Sequence, residues 1–128
     1  MRLLVDTHAL IWWMTADSRL SDSARKLIAH KSHTVLVSAA SAWEIATKVR
    51  LGKLSIAAGF ADDFEGDLAR EGFETLAVSV EHGLRAGLLP GPHRDPFDRM
   101  LIAQAQAGHL AIVSNDRAFD SYGVRRLW

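Results

Sequence analysis

Residues 3–13 read LLVDTHALIWW and place a lone aspartate, Asp6, between two apolar segments. The first segment predicts a short buried strand that ends at Asp6, and the second predicts a helix over residues 8–14. Burying a carboxylate at such a seam costs free energy unless a partner compensates its charge. The stretch therefore predicts a strand followed at once by a helix, with a functional carboxylate at the joint.

The alternation of strands and helices continues along the chain. Short apolar runs predict strands at 34–37, 75–78, 111–113 and 124–127, and helices are predicted at 21–30, 39–51, 60–70, 80–86 and 96–107. Continuous apolar strands joined by helices indicate a parallel sheet that is covered on both faces. We therefore expect a single α/β domain over residues 1–128, with three α/β/α layers around four to five strands.

The amino-acid composition restricts the classes of protein to which the chain can belong. The 128-residue chain has no cysteine, which removes disulfide, zinc–thiolate and thiol chemistry. Six of its 15 acidic residues but only one of its 15 basic residues lie in residues 62–74, so an excess of five positive charges remains elsewhere. A solvated helix face explains the acidic stretch. No apolar run approaches the roughly 18 residues of a membrane span, and we expect a cytoplasmic protein without a membrane partner.

Four acids occupy candidate site positions. Asp6 and Asp116 follow predicted strands, and Glu44 lies in the first turns of the helix after the second strand. Ligands of open parallel sheets bind at the carboxyl ends of the strands, so these three acids are expected at one edge. Asp98 is in the first turn of the helix before the fourth strand. The order of elements favours the opposite edge for it, unless the loop at 89–94 carries the chain back.

Structural interpretations of the same acids stay open at this point. Ser41 and Glu44 have the spacing of a capping box, Asp95 and Asp98 have that of a helix N-terminus, and Asp116 suits a turn. Four converging carboxylates would repel one another, and a divalent cation would relieve that repulsion. Carboxylate oxygens favour Mg²⁺ or Mn²⁺. His8 follows Asp6 but has no second histidine at metal-ligand spacing, so all six histidines are interpreted as structural or surface residues.

Four segments carry a resemblance to a known family. They are LLVDTHALIWW (3–13), SAASAWEIATKVRLGKL (38–54), HRDPFDRMLIAQA (93–105) and IVSNDRAF (112–119). In this order they resemble PIN-domain proteins, and specifically the VapC-type toxin ribonucleases of type II toxin–antitoxin systems. The resemblance places the family's acidic positions, which are catalytic and metal-binding, on Asp6, Glu44, Asp98 and Asp116. It favours Asp98 over Asp95, and it brings Asp98 to the acidic cluster.

The resemblance implies a Mg²⁺-dependent endoribonuclease, with Mn²⁺ as a substitute, that hydrolyses RNA by a metal-activated water. Asp6 and Asp98 are then expected to bind the ion directly. Glu44 and Asp116 would act through water or hold a second ion, and Ser114 matches a supporting hydroxyl position of the family. The expected partners are an RNA substrate, a cognate VapB-like antitoxin and a second copy of the chain in a homodimer.

Two further sets of residues are candidate contacts. Adjacent helical residues point about 100° apart, so one of Trp12 and Trp13 is expected at the surface, where it would help to bind the antitoxin. The candidates for RNA-backbone contacts lie near the acids in sequence: Lys48, Arg50, Lys53, Arg94, Arg99 and Arg117.

Other classes of protein fit less well. An aspartyl phosphohydrolase of the haloacid-dehalogenase type needs a second aspartate two residues after Asp6, where this chain has His8. A phospho-receiver domain needs a lysine after the fifth strand, and no lysine follows Val124. The alternative that stays open is a catalytically inactive PIN-like module that binds RNA or protein.

Overall fold

A five-stranded, all-parallel sheet forms the centre of the protein in the computed structural model, which describes residues 1–54, 59 and 62–128. The strand order is β3-β2-β1-β4-β5. The strands are β1 (Arg2–Val5), β2 (Thr34–Ser38), β3 (Glu74–Leu76), β4 (Ala111–Val113) and β5 (Arg126–Leu127). The predicted parallel α/β architecture is confirmed.

Helices connect the strands and flank the sheet. They are α1 (Thr7–Met14), α2 (Asp22–Ala29), α3 (Ala39–Arg50), α4 (Phe64–Arg70), α5 (Val80–Leu88), α6 (Pro96–Gly108) and a 3₁₀ helix (Arg117–Tyr122). Within the described part of the chain, no helix combines the length and apolarity that a membrane crossing requires.

The core forms on both faces of the sheet because successive strand residues point to opposite sides. On β1, Leu3 and Val5 join a buried cluster that includes residues of α1 and α2. Leu4, between them, joins a second cluster with Leu101 and Ile102 of α6. Two apolar layers thus bury all residues of the central strands except Arg2 and Thr34 at their starts, as the continuous apolar runs in the sequence predict.

Several element bounds differ from the prediction. The third strand begins at Glu74 and ends at Leu76, because these residues pair with Leu36 to Ser38 of β2 and the pairing outweighs the apolar run that continues to Val78. Of the predicted helix at 60–70, residues 60 and 61 lie outside the described residues, Asp62 and Asp63 form a turn, and the helix begins at Phe64.

The end of α6 also differs from the prediction. Gly108 belongs to the helix, and His109 takes the left-handed conformation there, with φ of 52°. A Cβ on Gly108 would come within 3.2 Å of the Leu110 side chain. Glycine at 108 therefore gives room to Leu110 rather than a special backbone angle.

The start of α6 lies at the carboxyl edge of the sheet, and the expectation from element order that it lies opposite is wrong. A helix that leads into a parallel strand runs antiparallel to that strand, so it begins where the strand ends. Arg99 fixes the preceding loop in place, because its guanidinium donates to the backbone carbonyls of Ala86, Leu89 and His93. The loop thereby returns the chain to the edge that holds Asp6.

Candidate metal centre

The four acids that the sequence singles out line one cleft of about 580 Å³. It lies at the carboxyl edge, where β1 and β4 end and α3 and α6 begin. The lining residues are Asp6, His8, Trp12, Glu44, His93, Asp95, Asp98, Asn115 and Asp116.

Asp6 is the acid at the joint between β1 and α1. It is only 5% exposed, and its Oδ1 accepts a hydrogen bond of 2.8 Å from the backbone N–H of Ala9. Burial raises the pKa of the Asp6 carboxyl, while hydrogen bonds from the Ser114 hydroxyl and from Ala9 act in the opposite direction. Asp6 therefore caps α1 and faces the cleft, with Ser114 beside it as expected.

Glu44 lies in the second turn of α3. The helix begins after Ser38, whose Oγ accepts from the N–H of Ala40 at 3.0 Å, so the capping-box interpretation of Ser41 and Glu44 is wrong. Glu44 is buried, and its Oε2 accepts from Lys48 Nζ at 2.6 Å. Its Oε1 is buried with no hydrogen-bond partner among the described residues. One carboxylate oxygen thus remains free for a ligand.

Asp98 is the acid in the first turn of α6. Asp95 caps α6, because its Oδ1 accepts from the N–H groups of Phe97 at 2.9 Å and Asp98 at 3.3 Å. The Asp98 side chain is therefore not needed for capping. Burial, followed by repulsion from Asp95, Glu44, Asp6 and Asp116, raises the pKa of Asp98 to about 7.

Asp116 caps a helix and also lines the cleft. It is exposed, and its Oδ1 caps the 3₁₀ helix by accepting from the N–H of Ala118 at 2.9 Å. Its own N–H donates to Ser114 Oγ at 3.0 Å. The turn interpretation is therefore correct for this residue, and Ser114 links it to Asp6.

His93 is a site residue that the sequence interpretation missed. Its Nε2 lies 3.1 Å from Asp98 Oδ2. Potential ligand atoms of His93, Asp98 and Asp116 all lie within 4.8 Å of one another. The interpretation of all six histidines as structural or surface residues does not anticipate this placement of His93, which arises because the loop before α6 folds back over the cleft. A sequence signal for this placement exists in the HRDPFD segment (93–98). Asp95, two residues after the histidine, is the N-cap of α6, where the chain changes direction.

The basic residues that are predicted to contact RNA differ in whether their side chains are free to do so. The Arg99 guanidinium donates hydrogen bonds to three backbone carbonyls, and Lys48 forms an ion pair with Glu44. The interpretation of Arg99 as an RNA contact is therefore wrong on structural grounds, since its donors hold the loop. The exposed candidates are Arg50, Lys53, Arg94 and Arg117.

The two tryptophans pack against the core. Trp12 is 8% exposed and lies edge-on to Trp128 at 5.9 Å between ring centroids. Trp13 is half-buried and lies 6.0 Å from the Phe73 ring. Trp13 is thus the more accessible of the pair. Other apolar side chains are far more exposed than either, namely Trp43, Val80, Leu84 and Leu88.

The donor set fits a hard divalent cation. The acids of the cleft are oxygen donors, their mutual repulsion contributes to the raised pKa of Asp98, and Glu44 keeps an unpartnered buried oxygen. A cation would relieve the repulsion and satisfy that oxygen. Mg²⁺ and Mn²⁺ are the ions that such oxygen donors prefer.

The pKa of Asp98 predicts a pH-dependent stability of the metal-free protein. The folded state holds this proton until about pH 7, whereas an ordinary aspartate has a pKa of 3.8. Its stabilising contribution is complete below about pH 4 and is lost as the pH rises through 7. We expect the Asp98→Asn variant to escape this loss and to exceed wild type by about 1–2 kcal/mol near pH 8, after allowance for solvent screening. Urea denaturation near pH 4 and pH 8 measures this, and parallel pH dependences would contradict it.

Comparisons with known proteins agree with this architecture. The sequence model of the PIN domain matches residues 3–124. Among curated proteins, none matches this sequence. Similar solved structures include VapBC from Salmonella typhimurium bound to DNA, with 19% identity, a TM-score of 0.68 and coverage of 99% of this chain and 97% of that one.

Two further structures give the same result. FitAB bound to a DNA fragment has a TM-score of 0.71 at 16% identity and covers 98% of this chain and 93% of that one. VapC20 from Mycobacterium tuberculosis, described as a sarcin–ricin loop cleaving toxin, has a TM-score of 0.67 at 18% identity over 95% of each chain.

The fold and the cleft together define a class of protein, namely parallel α/β domains with an acidic cleft at the carboxyl edge of the sheet. The chain belongs to the PIN domain family.

Proposed function

We propose that this protein is a metal-dependent endoribonuclease and the toxin of a VapBC-type toxin–antitoxin pair. The observation that carries the proposal is the convergence of Asp6, Glu44, Asp98 and Asp116 on one cleft of a PIN domain. Similar structures described as toxin–antitoxin complexes and as an RNA-cleaving toxin support it at the level of the fold. The proposal includes a cytoplasmic location, where RNA is available.

In the proposed mechanism, Asp6 and Asp98 bind Mg²⁺ or Mn²⁺ directly, and Ser114 keeps the Asp6 carboxylate in place. When bound, the ion stabilises negative charge on the phosphate and lowers the pKa of a bound water. Glu44 and Asp116 orient the attacking water, or share a second ion. Attack of the water oxygen on phosphorus and cleavage of the bond to the 3′-oxygen leave a 5′-phosphate and a 3′-hydroxyl.

Exposed basic residues that lie near the acids in sequence are the proposed contacts for the RNA backbone. Arg50, Lys53, Arg94 and Arg117 are all exposed, and such side chains position a nucleic acid through its phosphates. Arg99 is excluded from this set, and Lys48 would have to leave Glu44 to join it.

Cleavage of a structured RNA tests the proposed activity. We expect wild-type protein to cut ribosomal or transfer RNA internally in the presence of Mg²⁺ or Mn²⁺, and to stop when EDTA is added. Mapping of the product ends should find 5′-phosphates. Folded protein that binds RNA but does not cut it with either ion would favour the inactive binding module, and cleavage that persists in EDTA would contradict the metal requirement.

Two protein partners belong to the proposal. We propose that the antitoxin contacts the accessible Trp13 beside Trp12, and that the toxin forms a homodimer through the apolar surface of α5. That surface exposes Leu84 at 64% and Leu88 at 82%, and exposed apolar side chains of this kind are typical of an interaction site.

Matched variants separate the two surfaces. We expect Leu84→Glu to yield a monomer in light scattering that still binds the antitoxin, because the charge disrupts only the α5 surface. Trp13→Ala should remain dimeric and lose more than about 1 kcal/mol of antitoxin affinity in calorimetry, as the loss of an aromatic anchor does. A dimeric Leu84→Glu variant, or unchanged antitoxin affinity in folded Trp13→Ala, would show that the corresponding surface is assigned wrongly.

A further inference from the structure

The backbone around His93 is held from several directions. Its N–H donates to the Tyr122 hydroxyl at 2.9 Å, and its carbonyl accepts from Arg99 Nη1 at 3.0 Å. The imidazole lies 6.4 Å from the rings of both Phe119 and Tyr122, measured between centroids. The position of the ring is therefore determined by residues from the 3₁₀ helix and α6, which lie far apart in sequence.

One hydrogen bond to the ring indicates its tautomer. The backbone N–H of Asp95 donates to His93 Nδ1 at 3.4 Å, so Nδ1 presents a lone pair and the proton of the neutral ring lies on Nε2. Nε2 is buried and 3.1 Å from Asp98 Oδ2, but the two atoms are not aligned as a hydrogen bond. Nε2 has no other hydrogen-bond partner in the described part of the chain.

We propose that His93 is a positioning residue for Asp98: when the metal binds, the Nε2–H turns onto Oδ2, 3.1 Å away, and leaves the other carboxylate oxygen to the metal. The inference rests on the proposed metal site. Carboxylates that bind a metal are themselves held by hydrogen bonds, and loss of such a partner typically weakens metal binding 10- to 100-fold. A separation of 3.1 Å also suits two ligands of one ion, but coordination by Nε2 would place the ring proton on Nδ1, where it would meet the backbone N–H of Asp95.

The tautomer can be measured without metal and without activity. In protein labelled with ¹⁵N-histidine, long-range proton–nitrogen correlation spectra distinguish the protonated ring nitrogen from the unprotonated one. We expect the His93 signal to report a proton on Nε2 and none on Nδ1. A proton on Nδ1 alone would overturn the proposed donor role, and so would direct nitrogen coupling from His93 to bound Mn²⁺ in pulsed electron paramagnetic resonance.

Calorimetric titration with Mn²⁺ measures the positioning effect. His93→Leu should weaken binding at least about tenfold. His93→Gln should remain within about threefold of wild type, because its amide N–H reaches the Nε2 position. His93→Asn, whose shorter amide does not, should behave like the leucine variant. His33→Leu controls for loss of a partly buried imidazole elsewhere and should bind as wild type does.

The outcomes separate this inference from the proposed function. Equal Mn²⁺ affinity in wild type and folded His93→Leu would overturn the role of His93 and leave the metal site intact. If His93→Leu does not fold, equal affinities of the glutamine and asparagine variants overturn the inference in the same way. Absence of Mn²⁺ binding by wild type would overturn both the metal site and the role of His93.

Discussion

Asp98→Asn is expected to reduce metal-dependent RNA cleavage at least about 1000-fold, which corresponds to roughly 4 kcal/mol of transition-state stabilisation. The substitution removes the charge of a proposed direct ligand and keeps nearly the same shape. Because Asp98 is repelled by the other acids of the cleft, the neutral variant should fold at least as stably as wild type. Cleavage of the same RNA by both proteins, with circular dichroism as the check on folding, gives the comparison.

Asp95→Asn is the matched control for this prediction. Asp95 lines the same cleft and lies three residues before Asp98, but its Oδ1 caps α6, and an asparagine Oδ1 accepts the same hydrogen bonds. We expect this variant to keep cleavage within about tenfold of wild type, since the cap needs an oxygen rather than a full charge. An inactive Asp95→Asn variant beside a fully active Asp98→Asn variant would mean that the wrong acid was chosen.

Saturating Mg²⁺ or Mn²⁺ is expected to raise the melting temperature by an amount on the order of 10 °C. A ligand that binds only the folded state at about 100 times its dissociation constant adds about 2.7 kcal/mol to the free energy of unfolding. For a domain of this size, that free energy corresponds to a shift of this order. The physical source is the relief of repulsion among the four carboxylates. Differential scanning calorimetry with and without the ion measures the shift.

The double variant Asp6→Asn/Asp98→Asn provides the control for the metal effect. Without metal it should melt at or above the wild-type temperature, because two buried carboxylates lose their charge. With metal it should show no further increase. An equal increase in wild type and double variant would mean that the ion binds elsewhere on the protein.

Much of the fold could be predicted from the sequence because its signals are local. The apolar run that ends at Asp6 marks β1, and proline after Asp95 marks the start of α6. The third strand was misplaced because its bounds depend on pairing with β2, and an apolar run alone cannot show where pairing stops. Prediction from the sequence succeeds for helices and strands whose first and last residues are determined by their own local sequence.

The candidate site could be predicted in part. Asp6 and Glu44 line one cleft because β1 and β2 are parallel neighbours; the apolar runs indicate the parallel sheet but not the order of its strands. The direction of α6 was misjudged, and resemblance alone brought Asp98 to the cluster. His93 was missed because its position depends on Tyr122, which lies 29 residues further along the chain. Arg99 was misassigned because its partners are backbone carbonyls, which any sequence would offer.

The most direct test of the central claim is anomalous diffraction from crystals of the wild-type protein soaked in Mn²⁺. The proposed metal centre predicts a strong peak in the acidic cleft, at a bonding distance of about 2.1 Å from carboxylate oxygens of Asp6 and Asp98. The same soak of Asp98→Asn crystals should lose most of that peak. An empty cleft in wild type at an ion concentration that supports RNA cleavage, or a peak bound only by residues outside the cleft, would contradict the account.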